Sequence, residues 1–293
     1  MGTTPPLEWG RAKRSKVKTY AEGEVGRWAR AARDVCLPGV PVAALLGFAA
    51  NGAVNENTTG WLVGDEAERA KALAKGRYPL KRSDPREGYG RVGGNHLHEL
   101  GPFGVEGGKT PTPVATDPEC PWVSLASSDA VVKVLGRPGV TGRDWYDAVA
   151  DQTVIGVANL TRHLRAIRAK LDPRLTWPED KPVSAWAYSL AMMSWSAGSS
   201  GCARHVNAYA DDLAALPEEQ RWSAFLRFAG AVDDPRAKHR ADEYSALRTE
   251  QKRCAGMIAC EFTGEDPQWL DPGLGPERDA VYAALVKASR SED

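Results

Sequence analysis

Two histidines and a glutamate lie close together in the first half of the chain, at His96, His98 and Glu99. On a β-strand, alternate residues point to the same face, so both imidazoles could contact one zinc ion. A zinc site needs further protein ligands, and no HExxH or CxxC motif accompanies this pair. We therefore expect a polar loop at the edge of a cleft, with no metal centre and no cofactor.

Two other segments match catalytic or phosphate-binding motifs only in part. The run Gly104–Thr110 contains Gly-Lys-Thr, but a P-loop needs glycine five residues before Gly108, where this chain has Phe103. Ser200 lies in Gly-Ser-Ser-Gly-Cys rather than in a Gly-x-Ser-x-Gly turn, and no strand is predicted before it. Neither nucleotide binding nor nucleophilic serine catalysis is therefore expected.

The overall charge excludes some classes of partner. The chain has 293 residues, 42% of them hydrophobic, with 38 basic and 38 acidic side chains. Because these charges cancel, no net field favours nucleic acid or an anionic membrane. A basic run, Arg11–Lys18, departs from this balance near the start. It predicts either a solvated basic arm over residues 1–22 or a segment that docks on a larger assembly or a polyanion.

The sequence contains no recognisable signal for export or membrane insertion. The first residues lack the apolar core of a secretory signal peptide. No run of about 18 apolar residues, the length that a membrane-spanning helix needs, occurs in the chain. We therefore expect synthesis in the cytoplasm, five reduced cysteines and no insertion into a membrane.

Hydrophobic periodicity predicts a mainly helical chain with one loop-rich interruption. The helical segments share apolar residues at steps of three and four. They are expected at 24–36, 41–50, 153–171, 184–197, 203–216, 240–262 and 276–289. Between residues 51 and 125, frequent glycine and proline predict loops and one or two small β-hairpins. The segment 184–197 is apolar on nearly all sides, so we expect it at the centre of the fold.

This order of elements predicts an α+β, mainly α fold. A helical bundle would surround one buried helix, and a small loop/β lobe would form a cleft against it. Three parts are expected: a basic arm at 1–22, a domain at 23–232 with a loop-rich insertion at 66–120, and a C-terminal helical extension at 233–293. Ligand pockets tend to form where such a lobe meets a bundle.

Four segments follow one another in a suggestive order. They are GVPVAALLGFAANGAVN at 39–55, LGPFGV at 100–105, DQTVIGVANL at 151–160 and AMMSWSAGSSGCARHVNAY at 191–209. In order and spacing they resemble the first helix, the glycine turn and two later motifs of the lysozyme-like superfamily, in particular the lytic transglycosylases and goose-type lysozymes. The resemblance covers roughly residues 25–230.

The resemblance implies a glycosidase site that is incomplete in this chain. In the family, the first helix ends in a glutamate that protonates the glycosidic oxygen, and that position is Ala50 here. Three explanations stay open: an engineered replacement of glutamate, a naturally inactive relative, or a shifted register in which Glu56 or Glu99 is the acid. Asp65 lies at a predicted helix start, so no second carboxylate is convincing, which favours a lytic transglycosylase over a hydrolase.

The same resemblance implies the ligand and its contacts. Asn51, Phe103 and Trp195 stand at groove positions, Trp195 in place of the usual tyrosine, although Phe103 and Trp195 could equally be core residues. We expect a peptidoglycan-cleaving lytic transglycosylase or muramidase that acts on MurNAc-GlcNAc β-1,4 bonds, inactivated at position 50. The alternative is an inactive lysozyme-like module for glycan binding or assembly. Besides glycan strands, a phage or contractile-injection particle is a possible partner, and the chain would reach the cell wall on it or by release at lysis.

Overall fold

Helices form most of the regular structure in the computed structural model, which describes residues 7–52, 99–100, 102–103, 105–106, 123–140, 148–231, 234, 236 and 240–290. The described helices are α1 (Leu7–Glu22), α2 (Glu24–Cys36), α3 (Val42–Gly52), α4 (Val123–Ala126), α5 (Asp129–Leu135), α6 (Val149–Arg168), α7 (Ala185–Asn207), α8 (Ala210–Ala214), α9 (Glu218–Gly230), α10 (Arg240–Thr263) and α11 (Arg278–Arg290). Short 3₁₀ turns lie at Pro173–Leu175, Pro267–Leu270 and Gly275–Glu277. The described part of the chain is therefore mainly α, as the sequence predicts.

Two short strands form a hairpin in the described residues. Strand β1 (Glu99–Leu100) pairs antiparallel with β2 (Val105–Glu106), with Glu99 opposite Glu106 and Leu100 opposite Val105. Most of the insertion predicted at 66–120 lies outside the described residues, so the larger loop/β lobe stays a prediction.

Helix α3 is enclosed on all sides. Every residue from Val42 to Ala50 is buried, as its continuous apolar sequence requires. The first backbone N–H groups of a helix have no partner within it. Those of Val42 and Ala43 donate to the two carboxylate oxygens of Glu265, at 2.9 and 2.7 Å. The negative charge also suits the positive end of the helix dipole. The helix predicted at 41–50 is confirmed.

Helix α10 packs directly on α3. A methyl group built on Gly47 would lie 2.2 Å from the backbone nitrogen of Gly256, so the two backbones nearly touch. Beside this contact, Cys254, Ala255 and Ala259 of α10 are buried. The sequence predicts a polar helix here, in an extension outside the main domain. In the structure, the small residues of this helix are part of the core because they let two helix backbones approach closely.

The N-terminal segment also differs from the predicted solvated arm. Residues from Leu7 onward form α1, and Val17 and Tyr20 on this helix are fully buried. Arg14 forms an ion pair with Glu261 of α10, and its guanidinium lies 5.3 Å from the centre of the Phe262 ring. Buried side chains from α1 to α11 belong to one hydrophobic core, so helices on both sides of each predicted domain boundary share it.

The buried central helix is confirmed in α7. Its residues from Trp186 to Ser194 are buried, and the hydroxyl of Ser184 accepts a hydrogen bond from the backbone N–H of Ala187 at its start. At Gly198, where the sequence predicts the end of the helix, φ is 72° and the helix is kinked. None of the described helices has the length and apolar content needed to cross a membrane.

Asp151 holds the start of α6 in place through a buried carboxylate. Helix α6 begins two residues earlier, at Val149, and the Asp151 carboxylate is buried in its first turn. Both of its oxygens accept hydrogen bonds from Arg137, at 2.8 and 2.9 Å, and the backbone N–H of Val140 donates to it at 2.7 Å. This pair raises the pKa of Arg137 and ties the segment after α5 to the start of α6.

Candidate functional site

The predicted catalytic position lies near the end of α3. Ala50 is 3% exposed, and its methyl group has no proton to give. Asn51 belongs to the same last turn, but its side chain is outside the described structure. Glu56 lies outside the described residues. Glu99 begins β1, but the placement of its carboxylate is not described, so both remain predictions as alternative acids.

The two predicted aromatic residues of the groove meet on one ring of α3. Phe103, in the turn between β1 and β2, stacks on Phe48 with the ring centres 5.6 Å apart and the planes 23° apart. Trp195 of α7 meets the same Phe48 edge-on, with ring centres 4.9 Å apart. Offset and edge-on arrangements are those that aromatic pairs prefer. Phe103 is fully buried, whereas Trp195 is only partly buried and keeps some exposed surface.

A glycine on α6 makes room for this cluster. A methyl group built on Gly156 would lie 2.6 Å from Cγ of Phe103, so a larger residue would push the β1–β2 turn away. Gly156 belongs to the segment 151–160. All four segments that carry the resemblance therefore meet in one place, through Phe48, Phe103, Gly156 and Trp195. We call these four residues the convergence cluster.

His163 lies beside the convergence cluster. Its ring is centred 5.2 Å from that of Trp195, and its Nδ1 is 3.1 Å from the hydroxyl of Ser194. Burial is the main cause that lowers the pKa of His163 to about 3, and the positive charges of Arg162 and Lys252 contribute in the same direction. The imidazole is therefore neutral at physiological pH, and it can exchange a hydrogen bond with Ser194 but carries no charge to a ligand.

A buried lysine from α10 also reaches the convergence cluster. Lys252 is 3% exposed, and its ammonium lies 4.1 Å from the centre of the Phe48 ring and 3.4 Å from the hydroxyl of Ser196. The face of an aromatic ring favours a cation there. Lys252 lies beside α3 because the two helices approach closely at Gly47, where an added methyl group would lie 2.5 Å from the carbonyl oxygen of Lys252.

Sequence reasoning missed His163 and Lys252. His163 follows Leu160 by three residues on α6, so a polar ring within the apolar spacing was the available signal. For Lys252 the sequence signal was weaker, because this lysine lies among other charged residues of α10, just before the buried small residues Cys254 and Ala255. In the part of the chain that the structure describes, no three His, Cys, Asp or Glu side chains come together to hold a metal ion. His96 and His98 lie outside that part.

Comparison with known proteins identifies no relative. No family model matches the chain, and neither a curated protein nor a solved structure matches it.

Proposed function

We propose that this chain is a lysozyme-like module that binds peptidoglycan glycan strands at the end of α3 and, with alanine at position 50, does not cleave them. The support is the convergence cluster. Four segments were selected on sequence resemblance alone, and each resemblance was weak. All four contribute a residue to one contact at the end of the helix that would carry the catalytic acid.

The chemistry of the cluster suits a sugar ring in one respect. Trp195 has an exposed part, and its indole is held in place by Phe48 and His163. A rigid aromatic face offers contact area to the apolar face of a sugar at little cost in conformational entropy. Position 50 itself supplies no acid, because general acid catalysis needs a group that can release a proton and alanine has none.

Binding is tested by sedimentation of the full chain with purified sacculi. We expect retention of the chain, and a loss of affinity of about tenfold in Trp195→Ala, because one well-packed aromatic contact contributes about 1–2 kcal/mol. Trp28→Ala is the matched control, since Trp28 is also a partly buried tryptophan but lies on α2, and it should bind as the parent does. Absence of the parent chain from the pelleted sacculi would refute the proposal.

Cleavage is the second candidate, and the burial of position 50 favours it. A carboxyl group placed there would be desolvated, which raises its pKa toward the range that a general acid needs. Ala50→Glu should then clear a suspension of sacculi that the parent leaves turbid. If Ala50→Glu binds sacculi and still fails to clear them, the cleavage candidate is wrong and the binding module stands.

A further inference from the structure

A cleft lies at the start of α7, away from the convergence cluster. Its volume is about 790 Å³, within the range of small-molecule sites. The start of α7, the start of α9, one residue of α10 and the 3₁₀ turn at Pro267–Leu270 with the residues after it contribute its walls. Among the lining residues are Trp186, Glu218, Glu219, Trp222, Arg253 and Trp269. None of the residues that line it belongs to the convergence cluster.

Three indole rings give the cleft an aromatic lining. The N–H of Trp186 donates to the carbonyl oxygen of Leu175 at 3.0 Å, and the N–H of Trp222 donates to Glu250. Both rings are 2% exposed and fixed by these bonds, so little of their surface is left for a ligand. Trp269 is more exposed, and Tyr188 supports it with ring centres 5.7 Å apart. Trp269 is therefore the ring with most area left for a ligand.

The positive charge of Arg253, which lines the cleft, is already paired within the protein. Arg253 is fully buried, and its Nε lies 3.1 Å from the carboxylate of Glu250, which is also fully buried. Its other nitrogens donate to the carbonyl oxygen of Leu270 at 2.7 Å and to the hydroxyl of Ser189. The guanidinium therefore has an internal counter-charge, and it is not available to attract an anionic ligand.

Of the carboxylates that line the cleft, only some are paired with a cation. Asp271 pairs with Arg278 at 2.6 Å. Glu218 accepts a hydrogen bond from the uncharged hydroxyl of Ser184, which leaves its charge in place. Glu219 is exposed and has no ion-pair partner among the described residues. Among the described residues, two carboxylates without a counter-charge therefore remain, both in the first turn of α9.

We propose that this cleft binds an organic cation, an ammonium group carried on an apolar body. Trp269 provides the two contacts that such a ligand needs, apolar surface for its body and a ring face for its charge. The carboxylates of Glu218 and Glu219 select the sign of the charge. Among the lining residues that the structure describes, an anion would meet two uncompensated carboxylates and no free cation, and a neutral ligand would leave those carboxylates without a partner.

Isothermal titration of the full chain with tetramethylammonium, and with tert-butanol as an uncharged probe of similar shape, tests the proposal. We expect saturable binding of tetramethylammonium in the millimolar range and none of tert-butanol. Trp269→Ala should weaken binding about tenfold and Trp269→Phe less, because the ring face is lost or reduced. Glu219→Gln should weaken it up to about fivefold, as for an exposed charge pair.

Asp180→Asn is the matched control for Glu219→Gln. It also removes an exposed carboxylate, but from a segment that does not line the cleft. It should leave the titration unchanged, as should Trp195→Ala in the convergence cluster. Equal binding of the two probes, no binding of tetramethylammonium, or unchanged binding in both Trp269→Phe and Glu219→Gln would each overturn the proposal. Glu219 is exposed, so its variant remains a valid test even if the Trp269 variants fold poorly.

Discussion

Replacing Gly47 with alanine tests the contact on which the site depends. The added methyl carbon would lie 2.2 Å from the backbone nitrogen of Gly256 and 2.5 Å from the carbonyl oxygen of Lys252. Ordinary contact of such a carbon begins near 3.4 Å. Both obstacles are backbone atoms, so no side chain can turn aside, and α3 and α10 would have to separate by about 1 Å.

The energy of that separation follows from two opposing effects. Overpacking a core costs about 1–3 kcal/mol and more where backbone must move, so we take about 3–5 kcal/mol here. Alanine in place of glycine within a helix contributes about 1 kcal/mol in the other direction. The net loss in the free energy of unfolding is about 2–4 kcal/mol. The shift would also carry Lys252 away from Phe48.

Urea unfolding followed by circular dichroism measures this loss. Gly230→Ala is the control, because its methyl group would lie 3.1 Å from Cβ of Ala284, a contact that a small adjustment relieves. It should change the free energy of unfolding by less than about 0.5 kcal/mol. A Gly47→Ala protein as stable as the parent would show that the two helices do not approach so closely, and the positioning of Lys252 would lose its explanation.

Two further predictions concern the helix ends and pH. Glu265→Ala should lower the free energy of unfolding by about 1–2 kcal/mol in urea titration, because the N–H groups of Val42 and Ala43 lose their cap. Glu261→Ala is the control. It removes an exposed ion pair with Arg14, so it should lower the free energy of unfolding by less than about 1 kcal/mol. The lowered pKa of His163 means that the unfolded chain binds a proton near pH 6.5 and the folded chain only near pH 3, so stability is lost as the pH falls through this window. Between pH 7 and pH 5 the parent should therefore lose about 2 kcal/mol more than His163→Gln; an equal loss in both would show that this imidazole is not desolvated.

The sequence predicts the positions of the helices better than it predicts which helices pack against each other. The helices at 41–50 and 184–197 are confirmed because an unbroken apolar segment can only be buried, whatever surrounds it. Periodicity gave no information on contacts between distant segments, such as those of Phe103 and Trp195 with Phe48. The roles of Phe103 and Trp195 at a groove stay predictions.

Helix α10 shows why the remainder could not be predicted. Its charged residues, among them Glu250 and Arg253, gave it a polar composition, and exposure is the usual fate of such residues. In the structure the two side chains are fully buried and neutralise each other. Composition counts Glu250 and Arg253 as two polar residues. In the folded protein they form one ion pair with little net charge. Burial of such a helix therefore becomes visible only in the packed structure.

The burial of position 50 links stability to catalysis in a way that one variant can measure. If Ala50→Glu places a carboxyl in a desolvated setting, its pKa rises above that of the unfolded chain, near 4.3. The unfolded chain then ionises first as the pH rises, so the destabilisation relative to the parent should grow, by about 3 kcal/mol between pH 4 and pH 7 for a folded pKa near 6.5. A destabilisation that does not change with pH would mean an ordinary carboxyl pKa. Such a group would be ionised at neutral pH, and it could not serve as the proton donor that the cleavage candidate requires.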